Sequence, residues 1–144
     1  MMACFRSLET KPELVLRKGL HALGFRYSLN RKDLPGKPDL VFRRYQAIIF
    51  VHGCFWHRHE GCKLASVPAS NAQFWREKFA RNVERDRENI AVLQNAGWRT
   101  GIVWECSLRS GDVLPVVQKV AQWLVSSRRE LEHPDVDRIS IESE

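Results

Sequence analysis

The densest chemistry in the chain lies in ten residues, Gly53-Cys54-Phe55-Trp56-His57-Arg58-His59-Glu60-Gly61-Cys62. Cys54, His59 and Cys62 fall within this stretch, and Cys106 follows at the end of a later strand-like run. Thiolates and imidazole in tetrahedral geometry suit Zn²⁺. A closed four-ligand site is structural, because catalytic zinc keeps one position open. The spacing therefore predicts a Cys₃His staple of Cys54, His59, Cys62 and Cys106 that ties this loop to a sheet end. The competing reading is buried, unliganded thiols beside loop histidines. Cys4, near the start of the chain, is too distant to join either arrangement.

Two carboxylates stand where packing does not want them. Asp39 follows Pro38 at the start of a strand-like run. A carboxylate aimed off a sheet end is suited to holding Mg²⁺, although an aspartate there can also simply close a turn. Phe79, Val83, Ile90 and Leu93 recur at helical spacing and mark a buried face, and Asp86 interrupts that stripe. A buried carboxylate without a partner is costly, so Asp86 is expected either in a core ion pair or orienting a histidine. His52 and His57 remain once His59 is assigned to zinc. Either imidazole could act as the general base that activates water, with Asp86 setting its tautomer.

Aromatic residues crowd the same region. Phe55 and Trp56 lie between the metal-type residues, and Phe74 and Trp75 open the next helical stretch. Adjacent bulky rings cannot all face one core. Those left exposed beside Lys and Arg suggest stacking on, or wedging between, nucleic-acid bases. The alternative is that they pack around the zinc and the sheet. Arg43, Arg44, Lys78, Arg81, Arg85 and Arg87 are candidate phosphate contacts. The net charge of +6 and pI near 9.5 fit a polyanionic partner without identifying one.

The elements that must position these groups can be read from periodicity and turn chemistry. Thr10-Lys11-Pro12-Glu13 carries N-terminal capping signals for a helix ending at Gly24. Residues 25–28 read as a short strand and 33–38 as a turn. Strands are expected over 39–42 and 47–51, the second apolar throughout and so buried on both faces, with Arg43-Arg44-Tyr45 as a tight connection. Residues 52–68 read as irregular. A long helix follows over 72–96, then a strand over 98–105 and an amphipathic helix over 114–125. The order predicts one α/β sandwich with a mixed central sheet flanked by helices. A chain of 144 residues is expected to form one domain over 10–126, between a short segment 1–9 and a polar, frayed tail 127–144. No apolar run suggests a signal peptide or a membrane span, so a cytoplasmic monomer is expected.

Four blocks match a known family in order and spacing, across roughly residues 10–125. They are Asp33-Leu34-Pro35-Gly36-Lys37-Pro38-Asp39, Ile49-Phe50-Val51-His52-Gly53-Cys54-Phe55-Trp56-His57, Asn82-Val83-Glu84-Arg85-Asp86, and Gly97-Trp98 through Val103-Trp104-Glu105-Cys106. The chain resembles the very-short-patch repair endonucleases (Vsr). The resemblance implies a restriction-endonuclease-like fold with a structural zinc site. It also implies a single nick 5′ to the thymine of a T:G mismatch left by deamination of 5-methylcytosine, and functional association with a DNA cytosine-5 methyltransferase and mismatch-repair accessory proteins. Asp39 would bind Mg²⁺ together with the backbone carbonyl of Val51. His57 would be the general base and Asp86 its partner, with His52 and Glu13 in the surrounding hydrogen-bond network. Phe55, Trp56 and Trp75 would form a wedge entering the DNA. Orthodox restriction-like nucleases carry an acidic residue and a lysine where this chain reads Phe50-Val51-His52, and here the loop from His57 to Cys62 is one residue longer than the family's. Two rivals share parts of this description: a restriction-type or structure-selective nickase of the same fold, and a non-catalytic zinc-stabilised DNA-binding module.

Overall fold

The structure, a computed structural model, describes residues 11–29, 31–59, 62, 65–109 and 112–134. The segment 1–9, the Thr10 cap, Cys4, Glu60, Gly61 and the tail beyond 134 lie outside the described residues.

Helix α1 (Lys11–Ala22) leads to β1 (Ser28–Leu29), β2 (Leu40–Phe42), a 3₁₀ turn (Arg43–Tyr45) and β3 (Ala47–His52). A helical turn α2 (Cys54–His57) precedes the long helix α3 (Ala72–Asn95). Strand β4 (Arg99–Trp104), α4 (Glu105–Arg109), α5 (Leu114–Leu124) and β5 (Glu130–His133) complete the order. Among the described residues the strands form one mixed sheet, β1-β2-β3-β4-β5. The first two pairings are antiparallel; β3 with β4 and β4 with β5 run parallel.

The apolar run of β3 is explained by two covered faces. Ala47 and Ile49 join Leu40, Phe42 and Val103 under α1 and α5, where Leu16, Leu20, Val117, Val120 and Trp123 complete the larger core. Ile48 and Phe50 alternate to the other face and join Val41 and Leu93 under α3, with Leu34, Ile90 and Trp98 packed against them. The α1–α5 approach depends on Gly19, where a Cβ would lie 2.6 Å from the Val117 Cγ2 methyl. The parallel β3–β4 pair requires a crossover, which the metal loop and α3 supply. That crossover carries most of the candidate chemistry to the C-terminal ends of β3 and β4.

Several sequence expectations need correction. The first strand is Ser28–Leu29 rather than 25–28, because Phe25 and Tyr27 turn their rings onto Phe42. Residues 54–57, expected to be irregular, form the helical turn α2, and Glu105 opens α4 rather than ending β4. The tail expected to fray supplies β5, with Leu131 in the larger core. Its Glu-Leu-Glu-His pattern offers a single apolar residue, enough for an edge strand covered on one face but too little for a periodic signal. Among the described residues no helix is long and apolar enough to cross a membrane.

Candidate active site and metal cluster

A cleft of about 490 Å³ opens beside the ends of β2 and β3, lined by Gly36, Asp39, Val51, His52, His57 and Asp86, with Lys37, Arg85 and Asn89 among the others. Asp39 precedes β2, and its N–H donates to the Ile49 carbonyl at 3.1 Å. Its carboxylate Oδ2 accepts the Val51 N–H at 2.6 Å. Within a strand, the N–H and C=O of one residue face the same edge. The Val51 carbonyl is therefore directed to the edge that carries the Asp39 carboxylate. Burial pushes the Asp39 carboxyl up to about 6, opposed by the Val51 N–H and reinforced by the neighbouring charge of Glu13. Glu13 itself is raised by burial, with Arg17 at 3.7 Å pulling the other way. Asp39, largely desolvated, within the field of Glu13 and on the edge to which the Val51 carbonyl is directed, is the kind of oxygen donor that suits a hard divalent cation.

On the facing side, His57 Nδ1 lies 2.5 Å from Asp86 Oδ2. The alternatives for Asp86 are thereby separated: its partner is an imidazole, not a core cation. His52 stacks on His57 with ring centroids 3.9 Å apart and planes within 5°. It is buried, and its Nδ1 meets no hydrogen-bond partner among the described residues. Burial, then the neighbouring His57, push the His52 pKa down to about 3, so it stays neutral at working pH. Its contact with His57 is a ring face rather than a hydrogen bond.

The four metal-type residues converge as their spacing suggests. Ligand atoms of Cys54, His59, Cys62 and Cys106 all lie within 4.8 Å of one another. His59 Nδ1 is 3.6 Å from the Cys54 sulfur and 3.5 Å from that of Cys106. A tetrahedral zinc with ordinary bond lengths separates a sulfur and a nitrogen ligand by about 3.6 Å, so the donor set fits that ion. Without a cation, burial pushes the Cys54 thiol up to about 12 and also raises Cys106. Glu105 supports the cluster by accepting the Cys54 N–H at 3.2 Å. His59 also stacks on Trp104 at 4.4 Å.

The aromatic residues divide between packing and exposure. Phe55, Trp56, Trp75 and Phe79 interlock, with centroid separations of 5.0–6.4 Å. Phe79 is buried, while Trp56 remains 46% and Phe74 54% exposed. Lys78, Arg81 and Arg85 fall within about 60° of arc on α3 at 100° per residue, forming one basic flank beside the cleft. Arg87 lies elsewhere, paired with Glu84 at 4.0 Å. Arg43 and Arg44 are exposed in the turn before β3. They are separated from the cleft by the length of that strand, roughly 17 Å at the usual rise, so the structure does not bring them together with the other candidates.

Several contributors to this region were invisible to pattern reading. Gly36 has φ +77°, and a Cβ there would meet the Phe50 ring at 3.2 Å and Asn89 Cβ at 3.3 Å. Only the Pro35-Gly36 turn signal hinted at it. Trp104 and Glu105 act through contacts with residues distant in sequence, and no spacing rule reaches those.

A family model described as "DNA mismatch endonuclease Vsr" matches residues 1–63. The type II nicking enzyme V.XorIIP of Xanthomonas oryzae is 45% identical over 75% of this chain and 79% of its own length. The type II nicking enzyme V.NmeAIP of Neisseria meningitidis is 44% identical over 76% and 78%. The DNA mismatch endonuclease Vsr of Escherichia coli is 41% identical over 85% and 80%. With a mixed sheet flanked by helices, a cleft at the ends of β2 and β3 and a Cys₃His cluster, the chain belongs to the Vsr family of DNA mismatch endonucleases, whose fold is restriction-endonuclease-like.

Proposed function

We propose that this endonuclease nicks one strand of duplex DNA 5′ to the thymine of a T:G mismatch, with Mg²⁺ as the catalytic ion and Zn²⁺ as a structural one. The observation that supports it most is a single cleft lined by a desolvated carboxylate and a carboxylate-bound imidazole, flanked by basic residues of α3 and close to a partly exposed aromatic cluster.

Asp39 and the Val51 carbonyl would hold Mg²⁺, and the bound ion would neutralise charge on the scissile phosphate. His57, its Nδ1–H donated to Asp86, presents Nε2 to the attacking water and takes its proton as the new P–O bond forms and the old one breaks. Asp86 then steadies the imidazolium. Glu13 keeps the field at Asp39 negative, and His52 backs the base as a neutral plate. Lys78, Arg81 and Arg85 offer cations to backbone phosphates. Phe55, Trp56 and Trp75 enter the stack beside the mismatch, where unstacking costs least. T:G pairs arise by deamination of 5-methylcytosine, so the implied functional associate is a DNA cytosine-5 methyltransferase, and its target would set the sequence context.

A nicking assay with Mg²⁺ on labelled duplexes differing only in T:G or C:G at one position tests substrate and chemistry together. A single nick 5′ to the T, absent from the C:G duplex, is expected. Equal cutting of both would favour a second reading, a site-directed nickase of the same fold. Relatives that carry the name nicking enzyme give that reading a specific basis.

Zinc loss is expected to act on stability before chemistry. A structural site contributes its binding energy to folding. If Cys106→Ser loses even ~4 kcal/mol, the melting temperature should fall by about 10 °C for a chain of this size. Thermal melting with metal analysis checks this. A zinc-free protein of unchanged melting temperature would overturn the staple.

A further inference from the structure

α2 carries Phe55 and Trp56 yet spans only Cys54–His57. A single helical turn has no stability of its own, so something else must hold the rings in place. Arg58, the next residue, is neither a metal ligand nor part of the cleft lining. It adopts left-handed backbone, φ 58°, which is unfavourable for a non-glycine residue. Its guanidinium donates to the carbonyls of Phe55 at 2.9 Å, Ser66 at 3.1 Å and Ala65. The same group lies over the Phe79 ring at 3.9 Å and faces Phe55 at 5.5 Å. Among the described residues no carboxylate pairs with it. One side chain thus joins α2, the return limb of the metal loop and α3, with its donors spread over three carbonyls and its face on a buried ring. An ammonium cannot reproduce that fork, because the planar guanidinium stacks and donates in several directions at once.

We propose that Arg58 is a positioning residue for DNA opening, holding Phe55 and Trp56 in their inserted geometry before DNA arrives. The proposal rests on the wedge reading above. Side chains that must be ordered on binding cost affinity, and pre-ordering removes that cost. The loss should therefore be in KM, and only where a base step has to be opened.

The test uses the full chain with zinc bound and two T:G duplexes. One is intact; the other carries an abasic residue beside the mismatch, so that the step is already open. 2-Aminopurine next to the mismatch reports unstacking. Arg58→Ala is expected to raise KM on the intact duplex about tenfold, leave kcat within about threefold, and return to the wild-type KM on the opened duplex. Arg58→Lys should behave like Arg58→Ala. If Arg58→Ala loses zinc or melts early, Arg58→Lys, which keeps the charge and the aliphatic stem but not the planar fork, carries the test alone. An unchanged KM in the folded variants, or an equal rise on both duplexes, overturns the role of Arg58. A wild-type protein that binds the T:G duplex without changing 2-aminopurine fluorescence removes the wedge itself, and this proposal with it.

Discussion

Asp39→Asn is expected to abolish Mg²⁺-supported nicking and, in the same protein, to raise thermal stability above pH 6. The carboxyl is buried beside Glu13, and its pKa is pushed from 3.8 to about 6. A folded value above the unfolded one means that folding favours the protonated form. The contribution of Asp39 to stability is complete below pH 3.8, falls as pH rises through 6, and stays lost above it. The shift corresponds to at most about 3 kcal/mol. Asparagine cannot ionise and keeps an oxygen for the Val51 N–H, so it avoids that loss. At pH 8 without added Mg²⁺ the variant should melt roughly 5–10 °C above wild type, and the difference should vanish at pH 4. Added Mg²⁺ should raise the melting temperature of the wild type and leave that of Asp39→Asn unchanged, because a ligand stabilises only the state that binds it. Nicking should fall by about 10³-fold or more, the scale of losing an electrostatic group at a reacting phosphate. A variant that nicks normally would remove Asp39 from the metal site. A variant less stable than wild type at pH 8 would mean that the buried charge is already compensated. Such a cost, retained in the native chain, is a stability–function trade-off.

How much of this was legible depended on whether a residue's neighbours were near it in sequence. β3 was readable because six successive residues alternate between two covered faces, and an uninterrupted apolar run is what such a strand requires. α3 was readable because 24 residues repeat one stripe. β5 was not: its single buried residue, Leu131, acquires meaning only once β4 lies beside it. β2 begins at Leu40 rather than at Asp39, which lies at a bend, bonds to Ile49 and belongs to the site rather than the ladder.

The site followed the same division. Asp86 was conspicuous because it broke an apolar stripe, and the cost of burying a charge made a partner necessary. Periodicity could not say whether that partner was a cation or His57. The metal residues were conspicuous through their type, since three of the four lie within one short loop. Glu13 carried no such mark: its first-turn position explains it fully as a helix-start residue, and only the fold sets its charge against Asp39. Arg43 and Arg44 form a basic signal in the sequence, and the fold places them, exposed, at the far end of β3 from the cleft. His52 stands out in the sequence as a histidine at a strand exit, but its stacking on His57 becomes visible only in the fold.

That geometry sets the second large effect. His57→Ala is expected to lower kcat by ~10²–10⁴-fold, the usual loss on removing a general base, while KM changes little. In the native site His52 is not the competing base: burial and the neighbouring His57 hold its pKa near 3, and its ring lies face-on against His57. Asp86→Asn should fall in the same direction, by roughly 10²–10³-fold, because an amide can present N–H where the imidazole needs an acceptor and so reverse the tautomer. His52→Phe separates stacking from hydrogen bonding. A phenyl ring preserves the plate behind His57 and fits between Phe50 and Trp104, which already meet His52 at 5.5 and 5.3 Å. It should keep kcat within about tenfold, whereas His52→Ala, which leaves a cavity behind the base, should lose more. Single-turnover rates on the T:G duplex with saturating enzyme isolate the chemical step. If His57→Ala cut at the wild-type rate, His57 would not be the base, and the His52→Ala/His57→Ala double variant would show whether the stacked imidazole stands in. If His52→Phe were as inactive as His57→Ala, the Nδ1 of His52 would have a partner in the DNA complex, and its role would be polar rather than aromatic.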